Sequence, residues 1–217
     1  MPPALDHLVL VVPDLDAAVT DLERRTGARA VAGGAHPGRG THNALLGLRQ
    51  EGSARSYLEI LARDPAQPDV AEQDVLLGAG PTLATGVSRL FGWAVRTEPA
   101  ELAATLQAGR EAGADMGEEI AASRRTPGGL ELSWRLAVPR PLGFGGVQPF
   151  LLAWDDAHPT DADLPTVDLL SLELRHPAAE RAGAVLRALG VTVPVLPGPA
   201  ASLTARLSTP RGEVVLT

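Results

Sequence analysis

The sequence predicts an α+β fold assembled from repeated βαβββ units, and three observations point there. An apolar run, Leu5-Asp6-His7-Leu8-Val9-Leu10-Val11-Val12-Pro13, precedes a segment in which Leu15, Ala18, Val19 and Leu22 recur at helical spacing. Near the C-terminus, Leu172-Glu173-Leu174-Arg175-His176-Pro177 repeats the strand-then-proline pattern, again with a helical segment behind it. A looser copy lies between the two. A repeat of ~50–70 residues is too long for most solenoid classes and fits supersecondary units of a mixed domain.

The first unit spans residues 1–64. Residues 7–12 read as a strand, Asp14 as the N-cap of the helix that follows, and Gly27 as its left-handed stop. Strands are expected over 28–32, 43–48 and 56–62, separated by a Gly-rich turn at 33–40 and a polar turn at 50–54. The second unit spans 88–160, with strands over 90–97, 130–137 and 147–154 and a helix over 100–112 that turns Leu102 and Leu106 inward. The third spans 165–217: a strand over 172–177, a helix over 178–189 with Val185, Leu186 and Leu189 on one face and Gly190 as its stop, and strands over 202–207 and 212–216. Residues 64–86 and 155–165 read as linkers, and the loop 140–146 as an edge of a binding site.

Composition narrows the function classes. With 217 residues and 45% hydrophobic content the chain can bury a sizeable core. It has no cysteine, which excludes disulfides, thiolate catalysis and Cys-based zinc sites. The formal charge is −7 and every basic residue is an arginine, a balance that argues against nucleic acid as a partner. No stretch approaches the ~18–20 apolar residues of a membrane span, and residues 1–6 carry no basic leader, so no membrane partner and a cytoplasmic location are expected.

Two polar side chains stand in otherwise apolar strands: His7, and Glu59 in Ser56-Tyr57-Leu58-Glu59-Ile60-Leu61. Burying an unpartnered polar group costs roughly 2–7 kcal/mol, so each requires a partner, which can be the other, a metal or a ligand. No phosphate-binding loop and no Ser/His/Asp ordering stands out.

These residues resemble the vicinal oxygen chelate superfamily, specifically its glyoxalase-like domain proteins. The resemblance lies in Leu5-Asp6-His7-Leu8-Val9 with Pro13-Asp14-Leu15-Asp16-Ala17-Ala18, the turn from Gly33 to Leu45, Tyr57-Leu58-Glu59-Ile60-Leu61, and Gln148-Pro149-Phe150-Leu151-Leu152-Ala153-Trp154. It implies βαβββ modules of the glyoxalase/bleomycin-resistance/dioxygenase type, paired so that a mixed sheet curls into a cup with a divalent metal (Zn, Ni, Mn or Fe) at its floor. His7 and Glu59 match two ligand positions, and Glu59 is also the candidate catalytic base. The second unit offers no His or Glu at the matching points; pairing of the third unit with the first would bring Ser171 and Glu213 instead.

For the rest, two uses compete. His36 and Asn43 on the Gly-rich turn, with Trp93 and Trp154, are the expected ligand-pocket residues, whereas His42 reads as exposed hairpin geometry. His158 reads as a solvent-exposed turn and His176 as a helix-start residue; Trp134 reads as core, and Arg124, Arg125 and Arg135 as exposed strand charges able to clamp a carboxylate. The resemblance thus implies a divalent-metal-dependent lyase or isomerase, or a related dioxygenase-like enzyme, acting on a small oxygenated substrate. The alternative is a metal-free, antibiotic-type binding or sequestration protein. A third metal ligand from His36, His158 or Glu213 would favour the first. No glutathione pocket is recognisable, and cups of this type are often completed by a second copy, which leaves a homodimer as an open expectation.

Overall fold

The computed structural model describes residues 3–50, 53–126 and 128–217, so the centre of the expected turn at 50–54 lies outside the described residues. The chain runs β1 (Ala4–Val11), α1 (Leu15–Thr26), β2 (Val31–His36), β3 (Thr41–Gln50), β4 (Ser53–Arg63), α2 (Gly80–Ala84), β5 (Arg89–Arg96), α3 (Leu102–Glu111) and β6 (Glu119–Arg125). It continues through β7 (Glu131–Ala137), β8 (Phe150–Trp154), β9 (Thr166–His176), α4 (Ala179–Ala188), β10 (Val195–Pro197), β11 (Ser202–Thr209) and β12 (Gly212–Leu216).

Local chemistry accounts for the first helix. The Asp14 side chain accepts from the Ala17 N–H, Gly27 adopts φ 76°, and its N–H bonds to the Glu23 carbonyl. Val19 and Leu22 are the buried apolar residues of α1. Gly190 likewise takes a positive φ just past α4, whose Val185 and Leu186 are buried.

All twelve strands join one curled mixed sheet with the order β12-β11-β9-β3-β4-β1-β5-β8-β7-β6; β2 adds to β3 and β10 to β9. Two βαβββ arrangements repeat within it. β1 is parallel to β4, which is antiparallel to β3, which is antiparallel to β2; β5, β8, β7 and β6 repeat that pattern. The two meet where β1 and β5 run antiparallel. The C-terminal segment departs from the pattern: β9 is antiparallel to β11 and reaches the first unit through Gly47–Arg49 of β3, which run parallel to Thr166–Asp168.

Strand alternation sorts the side chains into two layers. On one face Leu8, Leu10, Leu58, Ile60 and Leu151 pack under Val19 and Leu22 of α1, Leu102 and Leu106 of α3, and Val185 and Leu186 of α4. On the other, Val9, Val11, Leu61, Ala94, Phe150 and Leu152 pack under Val75, Leu77, Ala79 and Leu83. The segment 64–86, expected as a linker, is therefore a wall: two 3-10 turns (Glu72–Asp74, Leu76–Gly78) and α2 cover the open face of the sheet. Leu77 holds φ 58°, unusual for a residue with a Cβ, and its side chain is buried in that wall. Strand β6 was not foreseen because it is an edge strand, largely exposed and without an apolar alternation.

Candidate functional site

The site grows from a fault in the β1 ladder. Leu5 faces Val95 and His7 faces Ala94, so Asp6 is an extra residue without a partner in β5. The bulge lets two consecutive side chains act together, and Asp6 Oδ1 accepts from His7 Nδ1 at 2.7 Å. Trp154 Nε1 donates to Asp6 Oδ2 at 2.9 Å, and His158 Nε2 lies 3.1 Å from the same oxygen. The Thr160 N–H donates to His158 Nδ1, so neutral His158 carries its proton on Nε2 and donates it to Asp6. The His158 side chain has 0% exposure, against the solvent-exposed turn that its neighbours suggested; the turn closes as His158 N–H donates to Asp161 Oδ2 and tucks the ring against β1. Burial alone would raise the Asp6 carboxyl. Hydrogen bonds from His158 and His7, with the charges those rings can carry, hold it well below the ordinary carboxylate range.

Because Asp6 accepts from Nδ1, His7 presents the lone pair of Nε2 to the cleft when neutral. Its ring stacks on Tyr57, centroids 4.7 Å apart, and meets the edge of Phe150 at 5.3 Å. His7 Nε2 stands 3.7 Å from Glu59 Oε2, beyond hydrogen-bond length. Asn43 Nδ2 donates to the other oxygen, Oε1, at 2.5 Å. His36 lies 3.8 Å from that same oxygen, with Nδ1 at 2.9 Å from Thr41 Oγ1. Burial pushes His36 below its usual value, an effect that the Glu59 charge partly offsets. Tyr57 is pushed well up, first by burial and then by the Asp6 and Glu59 carboxylates, so it remains a protonated donor at this floor.

Glycine makes room for Asn43. Gly33 is the extra residue of a second bulge, where Ala32 faces Ala44 and Gly34 faces Asn43. A Cβ on Gly33 would fall 2.1 Å from Asn43 Oδ1.

Around the floor is a cavity of ≈80 Å³ lined by His7, His36, Asn43, Tyr57, Glu59 and the aromatic rings of Phe150, Trp134 and Trp154. It shares His36, Leu76, Leu77, Arg124, Trp134 and Leu136 with a wider cleft of ≈570 Å³ between β2, β6 and β7. Arg124 stands at the junction, its Nη1 3.5 Å from Asn43 Oδ1 and its buried Nε without a hydrogen-bond partner among the described residues.

Of the expected site residues, the fold brings His7, Glu59, His36, Asn43 and Trp154 together. Trp93 it does not. Ala94 faces the floor, so its neighbour Trp93 points to the helix-covered core and donates to the Val147 carbonyl at 2.9 Å. Glu213 is exposed and paired with Arg206, and Ser171 is exposed on β9, so neither approaches the floor. Asp6 and Tyr57 are site residues that the sequence reading missed. Strict alternation sets Asp6 opposite to His7, and the bulge that overrides it has no signature in β1 itself.

The donor set does not complete a family-type divalent metal site. His7 and His36 address different oxygens of Glu59, and the second unit contributes Phe150, Leu152 and Trp154. Among the described residues no group of three or more His, Asp or Glu side chains is arranged to hold a metal ion.

The profile of the glyoxalase-like domain matches residues 5–190 of this sequence. The chain belongs to the glyoxalase-like domain family. Its fold and family place it in the vicinal oxygen chelate superfamily. A comparison with curated proteins gives no match. Among solved structures, a hypothetical protein from Staphylococcus aureus superimposes with TM-score 0.65 at 13% identity, covering 91% of this chain and 87% of that one. A methylmalonyl-CoA epimerase from Mycobacterium tuberculosis gives TM-score 0.44 at 20% identity, over 73% of this chain and 91% of that one. The Streptomyces coelicolor methylmalonyl-CoA epimerase in complex with 2-nitronate-propionyl-CoA gives 0.47 at 20% identity, over 72% and 100%. No helix among the described residues is long and apolar enough to cross a membrane.

Proposed function

We propose that this glyoxalase-like protein is a lyase or isomerase that moves a proton on a small oxygenated substrate at the Glu59–His7 pair. One observation carries this: two acceptors, Glu59 Oε2 and the Asp6-oriented His7 Nε2, face each other across 3.7 Å at the floor of a mainly apolar cleft. Such a gap is completed by a proton. Glu59 Oε2, the oxygen that Asn43 leaves free, takes the proton from the carbon beside a substrate carbonyl, and the C–H electron pair moves onto the carbonyl oxygen. The Arg124 guanidinium supplies positive charge for that oxygen, in a site walled by aromatic rings where such charge acts strongly. His7 Nε2 then accepts a hydrogen bond from the protonated Glu59 as the two side chains close to hydrogen-bond distance. Return of the proton from Glu59 after the planar enolate has turned its other face to that oxygen completes an epimerisation; departure of a group, with its bonding electrons, from the neighbouring carbon completes an elimination.

The test is deuterium wash-in followed by proton NMR on a panel of α-hydroxycarbonyl and dicarbonyl compounds. Exchange at the carbon next to the carbonyl is expected, and Glu59→Gln is expected to slow it by about 10²–10⁴-fold. Exchange that is indifferent to Glu59 would remove the role given to it. Metal content is read alongside, by plasma mass spectrometry on protein purified without a metal-affinity tag. Among the described residues His7 and His36 stand beside different oxygens of Glu59, so less than one ion per chain is expected; stoichiometric metal lost in both His7→Ala and Glu59→Gln would show a metal centre instead.

A second reading, sequestration of a small molecule without turnover, is favoured by one feature: apart from Arg124, the walls that the second unit gives the floor are aromatic and aliphatic, from Trp134, Leu136, Phe150, Leu152 and Trp154. Tight binding of a panel compound without any exchange would select it.

A further inference from the structure

Beyond the floor, the wide cleft carries chemistry that proton transfer does not use. Its lining is mostly aliphatic, with Ile120, Leu136 and Val138 among the walls, yet it holds three arginines, Arg39, Arg124 and Arg140, against one carboxylate, Glu118. In a chain of formal charge −7 this is a local reversal of sign. Arg124 belongs to the floor. Arg39 and Arg140 stand in the wider cleft, and neither side chain makes a hydrogen bond or ion pair among the described residues. Elsewhere many arginines do, as in Arg49 with Asp168, Arg135 with Glu119 and Arg206 with Glu213.

Arg39 is fixed by its backbone. Its N–H donates to the His36 carbonyl at 3.0 Å and its carbonyl accepts from the Leu76 N–H at 3.1 Å, so it is anchored to two residues that line both the floor and the cleft. Arg140 lies close enough to feel it: burial and then the Arg39 charge lower the Arg140 guanidinium from its usual value, against a weaker opposite effect from Asp74. Two like charges facing one apolar cleft are mutually unfavourable until an anion comes between them, and guanidinium forks match carboxylate and phosphate geometry.

We infer that Arg39 and Arg140 form an anion subsite, and that the ligand of this cleft is a small molecule with an oxygenated head, an apolar body and a carboxylate or phosphate at its far end. The inference rests on the proposed use of the floor only for the direction in which the ligand lies. The apolar lining takes the body, and the arginine pair selects against neutral and cationic analogues.

The experiment is isothermal titration of the full chain with four probes of one alkyl length: octanoate, octyl phosphate, octanol and octylammonium. Both anions are expected to bind about tenfold or more tightly than octanol, with octylammonium weakest. The ratio of octanoate to octyl phosphate tells which anion the subsite prefers. Arg39→Gln with Arg140→Gln is expected to bring the anions to the level of octanol, and the single Arg140→Gln to lose part of the preference with an unchanged melting temperature. Glu59→Gln is expected to keep the preference while losing proton exchange, so failure of the chemistry at the floor and failure of the subsite are read separately. Octanol binding as tightly as octanoate, anions that do not bind, or a preference unchanged in the arginine variants would each overturn the inference.

Discussion

Asp6 ties three side chains of the site together through one carboxylate. Its carboxylate is buried and accepts from His7, His158 and Trp154, so removing it strands two buried donors and one half-buried one. Asp6→Ala is expected to destabilise the fold by about 3–5 kcal/mol, measured by urea denaturation. The pH dependence follows in sign. The folded-state value lies below the unfolded 3.8, so the stabilisation is complete above that value and is lost as pH falls through and below it. Melting temperatures from neutral pH downward are therefore expected to fall more steeply in wild type than in Asp6→Asn once the pH drops under the ordinary carboxylate range. His36 behaves likewise in a higher window. Held neutral by burial, it gives stability above the unfolded 6.5 that is lost as pH drops below it, and His36→Gln is expected to flatten that part of the curve.

At the scale of elements, two bulges build the site. One in β1 sets Asp6 beside His7, and one in β2 sets Gly33 against Asn43. Gly33→Ala places a Cβ on the Asn43 amide oxygen and must displace the side chain that holds Glu59. A loss of about 1–3 kcal/mol is expected on thermal or urea unfolding, with weaker ligand binding even where the protein stays folded. The helices were far more legible. Asp14, Gly27 and the 3.6-residue periodicity fixed α1 because capping is a local matter between neighbours in the chain. Strand β6 and the wall formed by residues 64–86 were not legible. Exposed edge strands lack an alternating pattern, and an irregular segment acquires its apolar role only when a sheet face lies beneath it.

For the molecule as a whole, the decisive contact is the antiparallel pairing of β1 with β5, which sets His7 of the first unit against the Phe150 and Trp154 walls of the second. The C-terminal segment attaches elsewhere, on β3 through Thr166–Asp168, and its last residue accepts from the Leu90 N–H at 2.8 Å. Removing residues 165–217 bares the β3 edge and the apolar surface over Leu46 and Leu48, both fully buried in the intact chain. The shortened chain is expected to aggregate or to elute as large species on size exclusion, and to lose its near-ultraviolet circular dichroism. A monomeric, well-ordered product would show that the two N-terminal units fold alone.

The sequence by itself determined the βαβββ order of the first unit, the cap and stop of α1, the family and the two polar intruders His7 and Glu59. Those follow from periodicity, local capping and the cost of burying polar groups, all of which act along the chain. Only the tertiary structure decided which unit pairs with which, that Trp93 serves the core, that His158 is buried on Asp6, and that Glu213 stays at the surface. Each of these depends on strand register or on contacts between residues far apart in the chain. Shifting register by one residue moves a side chain to the opposite face, so a single bulge in β1 decided the chemistry of the floor.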